Sequence, residues 1–328
     1  MKQAGFTIIE VMVALIVGAF LLGGVMFTYV GMRTTAEETL DIGELQEAGR
    51  LAMDVLKQDI EMAGFFGTLN QTPDVTFLTN IPSQPSDDCS DGDNNASFPA
   101  ASGSAFRYVF ARKVTNASVL NCIDNATVGT DVIQLKGLLG TEMSASSSAS
   151  TRYYMLTEVN SGSILKGTGA VIATPGNSRV WEYFHNVYYI ADQSFQLNGA
   201  NVVVPTLMRQ RLTANGMAAE TIMEGVEHVR FLFGLDIDGD GRVDQYRPSE
   251  NMSRFDWEQQ SSTISTVQIF LLARTLTESR QTAEVQNFTL GGDADGERRD
   301  LNFNDRFRRK LFVSTIQLMN SGSDKWSM

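Results

Sequence analysis

The chain has 328 residues, of which 43% are hydrophobic and 20% are charged, and its formal net charge at pH 7 is −12. Besides a membrane anchor, this length allows one large domain or two small ones. Binding of nucleic acid depends on clustered Lys and Arg that neutralise phosphates, so no nucleic acid is expected as a partner of so acidic a chain.

The most informative segment is an apolar run near the N terminus. Residues 6–30 contain a single charged side chain, Glu10. A helix of this length spans a bilayer core of about 30 Å. An acid inside such a helix costs roughly 2.5–3.5 kcal/mol, which marks Glu10 as a candidate functional residue. The run is much longer than the apolar core of a secretory signal peptide, so we predict that it is retained as a helix.

The leader MKQAG, the Gly5–Phe6 junction and Glu10 together resemble the class III signal of type IV prepilins and pseudopilins. The resemblance implies that prepilin peptidase removes residues 1–5 by cleaving between Gly5 and Phe6, and that it methylates the new amino group of Phe6. It also implies that Glu10 pairs with such an amino group, which is costly to bury alone, and thereby sets the register between stacked subunits. A plain membrane anchor is the alternative; it explains the length of the run but not these three residues in register.

On this resemblance, residues 6–30 form a transmembrane helix in the bacterial inner membrane that also serves as filament core. The helix is predicted to continue over residues 31–66 as an amphipathic helix that ends near Ala63-Gly64 and Gly67. Its apolar face needs a globular domain to cover it. The apolar positions at helical spacing are Leu40, Leu45, Ala48, Leu51, Val55, Leu56 and Ile60.

Residues 67–328 are predicted to form a periplasmic, β-rich globular domain. Short runs rich in β-branched and aromatic residues alternate there with turn signals. The clearest runs are 106–111, 179–190, 202–207, 226–233, 263–272 and 311–318. Two polar segments, 79–104 and 144–150, are predicted to be exposed loops. The predicted fold class is α+β, with one long N-terminal helix packed on an elaborated antiparallel sheet.

Several segments are similar, in the same order, to segments of the PilW family of minor pilins. They are RLAMDVLKQDIEMAGFFG (50–67), NVYYIAD (186–192), LMRQRL (207–212), EGVEHVRFLFGLDIDGDGRVDQY (224–246) and RRKLFVSTIQLMN (308–320). The resemblance implies a type IV pilin-like fold and a non-catalytic subunit that helps to prime a type IV pilus and is incorporated at its tip. It implies other minor pilins, the major pilin and prepilin peptidase as partners.

Two other functions remain open at this point. PilW also resembles the J-type pseudopilin, so the chain could belong to the tip of a type II secretion pseudopilus. An alternative of another class is a tip-displayed adhesin or a DNA-uptake receptor, against which the acidic charge argues.

The two cysteines of the chain, Cys89 and Cys122, are natural disulfide partners in an oxidising periplasm, the alternative being two unpaired thiols. Many PilW relatives have a cysteine shortly after the AGFFG-like segment, where this chain has Thr68. The pairing of Cys89 with Cys122 is therefore not carried over from the family.

An acidic glycine-containing segment follows the run at 226–233. Carboxylates at alternate positions can converge on one Ca²⁺ ion, and the segment fits part of an EF-hand loop. Arg247 stands where that loop needs a bidentate Glu, so the prediction is a calcium-stapled β-turn, with a solvated acidic hairpin turn as the alternative. No other cofactor is expected. The candidate ligands are Asp236, Asp238, Asp240, the backbone carbonyl of Arg242, and Asp244.

Signatures of catalysis are largely absent, so no enzyme activity is expected. The two histidines, His185 and His228, have no metal-ligand spacing, and His228 is expected at an edge or on the surface. Residues 298–310 contain a basic cluster that could meet an acidic partner, but a surface balanced by Asp300 and Asp305 explains it better.

Overall fold

The computed structural model describes residues 5, 7–69, 72–73, 76–92, 94–99, 106–143, 148–197, 199–279, 282–292 and 298–321. In chain order the elements are α1 (Ile8–Met62), β1 (Leu78–Asn80), β2 (Val109–Lys113), β3 (Asp131–Glu142), β4 (Tyr153–Thr157), β5 (Gly162–Lys166), β6 (Arg179–Leu197), β7 (Ala200–Thr213), β8 (Gly216–Glu224), β9 (Val226–Asp236), β10 (Gln245–Pro248), a 3₁₀ turn (Ser249–Asn251), α2 (Arg254–Trp257), β11 (Thr263–Arg274), β12 (Glu284–Leu290), β13 (Arg299–Asp305) and β14 (Arg309–Gln317).

Helix α1 is continuous over 55 residues, because no proline interrupts it. At 1.5 Å per residue it is about 80 Å long. It ends where predicted: Ala63 has extended backbone angles, and Gly64 has a φ of +76°, where a Cβ would also overlap the ring of Tyr108.

The domain covers a shorter part of α1 than the periodicity of the sequence suggests. Burial of the helix begins at Leu45 and continues through Leu56 to Ile60. Leu40, predicted to lie on the covered face, is 66% exposed. Helical spacing identifies a face of the helix, but it does not show how far along that face the domain reaches.

Two mainly antiparallel sheets make up most of the domain, which confirms the predicted α+β class. The larger sheet has eight strands in the order β1-β5-β4-β6-β3-β2, with β7 paired to β6 and β8 paired to β7. Among its pairs, β1–β5 is parallel. The smaller sheet has the order β10-β9-β11-β14, and β12 and β13 form a separate hairpin.

The predicted runs coincide with strands in most places. The runs from residue 179 onward fall on β6, β7, β9, β11 and β14. The run predicted from Phe106 becomes a strand only at Val109; before the strand, the carbonyl of Arg107 accepts a hydrogen bond from the Lys136 side chain.

The hydrophobic core lies where α1 meets both sheets. Leu56 and Ile60 of α1 belong to one buried cluster with Ile133 of the larger sheet and Phe233 and Leu271 of the smaller one. The helix therefore holds the two sheets together, and its docking is part of the fold of the domain.

Candidate functional site

At its N-terminal end, α1 is closed by a capping box between Thr7 and Glu10. The backbone N–H and the hydroxyl of Thr7 each donate to Glu10 Oε2 at 3.0 Å, and the backbone N–H of Glu10 donates to Thr7 Oγ1 at 3.3 Å. This arrangement satisfies donors that the first turn of a helix leaves unpaired. Phe6 lies outside the described residues, so its cleavage, its methylation and its pairing with Glu10 stay predictions.

The first half of α1 is apolar and uncovered. Ile8, Phe20 and Phe27 are each 80% exposed or more. None of the 18 residues in the most apolar stretch of the helix is buried by the rest of the described chain. By length and composition the helix can cross a membrane. An apolar surface of this size requires lipid or other helices to cover it.

A partly buried polar contact fixes the second half of α1 on the larger sheet. The carboxylate of Asp59 accepts hydrogen bonds from the Asn186 amide and the Tyr188 hydroxyl, both at 2.6 Å. Burial, reinforced by the Asp59 charge, raises the pKa of Tyr188 far above its usual value, so its hydroxyl remains a donor. Arg209 in turn donates to the Tyr188 oxygen at 3.1 Å.

On the smaller sheet, α1 approaches β14 at a glycine. A Cβ added at Gly49 would overlap the ring of Phe312. Glycine therefore allows the helix backbone to come directly onto an aromatic side chain. Further along, the Asn320 side chain donates to the carbonyl of Glu61 at 3.1 Å, which holds the chain after β14 against the end of the helix.

The predicted disulfide between Cys89 and Cys122 is present in the structure. Gln134 of β3 donates to the carbonyl of Cys89, so the bridge rests directly on the larger sheet. The segment that carries Cys89 is not the exposed loop predicted for residues 79–104, because its described part includes the buried Ser97 and Phe98. Phe98 packs edge-on against Tyr153 of the sheet, which explains why this polar segment lies inward.

Beneath the disulfide segment lies a chain of buried polar groups. The Ser97 hydroxyl lies 2.5 Å from Asp88 Oδ1 and 2.8 Å from His185 Nδ1. Burial lowers the pKa of His185 well below its usual value, so the ring is neutral. Ser97 and His185 are both fully buried, and a substrate cannot reach them. The arrangement positions the segment and does not form a nucleophilic site.

Lys136 completes this network from β3. Its ammonium donates to the carbonyls of Asn95 and Arg107, both at 2.9 Å. Burial lowers its pKa to about 7. A strand residue thus ties together two irregular segments, the one that carries Asn95 and the one that carries Arg107.

The acidic segment after β9 brings together three of the five predicted calcium ligands. Carboxylate oxygens of Asp236, Asp238 and Asp244 lie within 4.8 Å of one another. Asp240 is not part of this group, and its carboxylate accepts the backbone N–H of Arg242 at 2.8 Å. Calcium binding therefore stays a prediction, now restricted to three carboxylates.

The backbone of the same turn also supports the alternative of a solvated turn. Asp236 accepts the N–H groups of Gly239 and Gly241 at 2.6 and 3.0 Å, and Asp244 accepts that of Ile237 at 2.8 Å. These contacts hold the turn without an ion.

Titration calorimetry of the full chain in detergent with CaCl₂ distinguishes the two interpretations. If the turn is a calcium site, we expect a dissociation constant on the order of 10⁻⁴–10⁻³ M, as in extracellular modules. Asp236→Asn and Asp244→Asn each keep one acceptor oxygen for the turn and should weaken binding about tenfold or more. Asp240→Asn is the matched control and should change it little. Absence of binding by the wild-type chain would establish the solvated turn.

Comparison with known families gives two matches, which lie at the two ends of the chain. Residues 1–26 match the model of the prokaryotic N-terminal methylation motif, and residues 187–320 match that of type IV pilus-assembly protein W, or PilW. The chain carries a PilW domain. Together with the methylation motif, this domain indicates a type IV pilus-related minor pilin, and it confirms the resemblance to the PilW family. No curated protein and no solved structure matches the chain significantly.

The PilW domain spans most of β6 and everything from β7 to β14. It includes the acidic turn, Phe312 and Tyr188, which donates to Asp59, whereas Asn186 and the disulfide lie before it. The family is one of pilus-assembly subunits, which agrees with the expectation of a non-enzymatic protein.

The basic cluster of the PilW domain is paired within the chain. Arg309 binds Glu227 at 2.6 Å and Asp305 at 2.7 Å. The other arginines have acidic partners of their own, which are Asp300 for Arg298, Asp131 for Arg299, Glu278 for Arg306 and Glu38 for Arg308. This matches the balanced surface favoured from the sequence, and the Arg308–Glu38 pair also joins the residue before β14 to α1.

Sequence reasoning missed or misplaced several residues of the PilW domain and its helix. Asp59 adjoins Ile60 on the covered face, and an acid beside an apolar stripe could have signalled a buried contact. His228, expected at an edge or on the surface, lies on β9 outside the stretch that pairs with β10; it is partly buried there, and this burial lowers its pKa to about 4. Nothing in the local sequence distinguishes Gly49 from the other glycines of the helix.

Proposed function

We propose that this chain is a minor pilin that primes assembly of a type IV pilus and is incorporated at its tip, with its globular domain in the periplasm before assembly. Its partners would be other minor pilins and the major pilin, through α1, and prepilin peptidase, which would cleave between Gly5 and Phe6. The PilW match and the methylation motif support the pilus, and the resemblance to priming subunits supports the place at the tip.

The observation that carries this proposal is the division of α1 into two halves. The second half is docked on both sheets, and the first half exposes apolar side chains that nothing in the described chain covers. A subunit of this kind can leave the bilayer only if other apolar helices replace the lipid around its first half. Assembly into a bundle of equivalent helices does this.

Glu10 would control entry into that bundle. In the isolated chain its carboxylate is held by Thr7. In a filament it would neutralise a methylated amino group, and an unpaired charge buried there would cost about 3–5 kcal/mol. We therefore propose that Glu10 pairs with the processed Phe6 of a subunit and fixes its axial position.

Surface piliation of a deletion strain tests the proposal. We expect the deletion to remove pili and the wild-type chain to restore them. Glu10→Ala should insert in the membrane at wild-type levels but restore few pili, because the charge at the buried position is lost. Glu10→Gln keeps the size of the side chain and one acceptor oxygen for Thr7, so it removes the charge but not the helix cap. We expect this variant also to restore few pili.

The outcomes distinguish the remaining functions. Full piliation with Glu10→Gln would refute the role of the charge. Normal pili in the deletion strain would refute priming, and loss of exoprotein release from that strain would then indicate a J-type pseudopilin.

A further inference from the structure

A cleft opens between α1 and the globular domain just above the uncovered part of the helix. It has a volume of about 460 Å³ and is bounded by residues 41–48 of α1, residues 221–224 of β8 and residues 274–277 after β11. Its position follows from the helix: Asp41 lies 11 residues beyond Val30 (41 − 30), or about 16 Å above the predicted membrane boundary.

The rim of the cleft carries unneutralised negative charge. Asp41, Glu44 and Glu224 line it, and their carboxylates form no ion pair with any described residue. Arg274 also lines the cleft, but its guanidinium lies 3.8 Å from Glu227 and stacks on the Phe307 ring at 3.9 Å. An adjoining cavity of about 360 Å³ shares Asp41; its other carboxylates, Glu37, Glu38 and Glu278, are paired with arginines and add no free charge to the rim.

The floor of the cleft is apolar. Leu45, Ile222, Met223 and Leu276 contribute aliphatic or thioether surface. A solvated metal ion or a small polar cation would gain nothing from such a floor. A peptide segment with both aliphatic and cationic side chains would bury the aliphatic ones on the floor and pair the cationic ones with the carboxylates of the rim.

The β8 side of the cleft also offers backbone groups. Among the described strands β8 pairs only with β7, so its outer edge has unpaired N–H and C=O groups. An extended segment can hydrogen-bond to an edge of this kind.

We propose that this cleft is a docking site for a segment of a neighbouring subunit that carries Lys or Arg between aliphatic residues. The identity of the partner as a neighbouring subunit rests on the proposed function. Complementarity of charge selects a cationic segment over an acidic or neutral one, because bringing further carboxylates to this rim would add repulsion.

Photo-crosslinking in intact cells tests the docking. A benzophenone amino acid replaces Thr221, an exposed residue that lines the cleft, in the full-length chain, and the adduct is identified by mass spectrometry. We expect the attached segment to come from another pilin and to contain Lys or Arg flanked by aliphatic residues. A benzophenone at Val171, exposed elsewhere on the domain, should not yield this adduct.

Charge reversal makes the test specific. Glu44→Lys combined with Glu224→Lys should lower the yield of the adduct about tenfold or more. Asp54→Lys is the control, because Asp54 lies on the same helix outside the cleft and should leave the yield within about twofold. Reversal of the cationic residue in the partner should restore the adduct of the double variant.

Each remaining outcome overturns the inference in a defined way. An adduct segment without Lys or Arg, a yield insensitive to the double reversal, or no adduct at Thr221 in a piliated strain would refute the cationic docking. An adduct with a protein that is not a pilin would refute the assigned partner. If the deletion abolishes pili but Thr221 gives no crosslink, the docking site is refuted and the priming function stands. If the deletion strain has normal pili, the priming function is refuted.

Discussion

Gly49→Leu should separate α1 from β14 and destabilise the domain by about 1–3 kcal/mol, the usual cost of overpacking a close contact. The reason is the position of Phe312, whose ring occupies the space that any side chain at residue 49 would need. Thermal unfolding of the full chain in detergent measures the loss. The effect should be largest at the interface between helix and smaller sheet, so proteolysis near residue 312 should accelerate as well.

The chain provides a matched control for this substitution. Gly43 lies on the same helix, and a Cβ added there meets no atom within 4 Å, so Gly43→Leu makes the same change without a clash. It should leave the unfolding temperature unchanged or raise it slightly, since leucine favours the helix over glycine. Combining Gly49→Leu with Phe312→Ala should recover part of the stability. Equal unfolding temperatures of the two leucine variants would contradict the close approach of α1 to β14 at Gly49.

Loss of the Cys89–Cys122 bridge has the second large expected effect. The two residues are 33 positions apart, and on the chain-entropy model a closed loop of that length contributes about 3–4 kcal/mol. Cys89→Ala combined with Cys122→Ala should therefore lower the free energy of unfolding by about this amount. Urea denaturation of the full chain in detergent measures it.

Reductant provides the internal control for the bridge. Dithiothreitol should destabilise the wild-type chain to the level of the double variant and leave the double variant unaffected. An equal shift of both proteins, or of neither, would show that the bridge does not hold the segment that carries Ser97 and Phe98 against the larger sheet.

Much of the fold could be predicted because its strongest signals are local. The length and apolarity of α1, the glycine at its end and the β-branched runs of β9 and β11 each depend on neighbours in sequence. Strand β3 was missed although apolar and polar residues alternate from Ile133 to Lys136. The alternation does not report one buried and one solvated face there, because Gln134 and Lys136 are buried as fully as their apolar neighbours. Strand β8 was missed because its sequence GMAAETIME contains few of the β-branched and aromatic residues that favour strands.

The candidate sites also fall into those with a local sequence signal and those without one. The disulfide was predictable because the chain has two cysteines, and the acidic turn because its carboxylates are neighbours in sequence. The contacts of Asp59 and the cleft beside Glu44 join segments more than 100 residues apart, so their partners follow from the tertiary packing and not from any local pattern.

The unbroken course of α1 has a mechanical consequence. Its docked half is attached to the domain at Glu38, Gly49 and Asp59, positions that span about 30 Å of helix. Tension along the helix axis loads these attachments together, in shear, whereas a sideways pull would break them one after another. A domain fixed to its helix in this way resists an axial load best, which is the direction in which the proposed pilus would pull on its subunits.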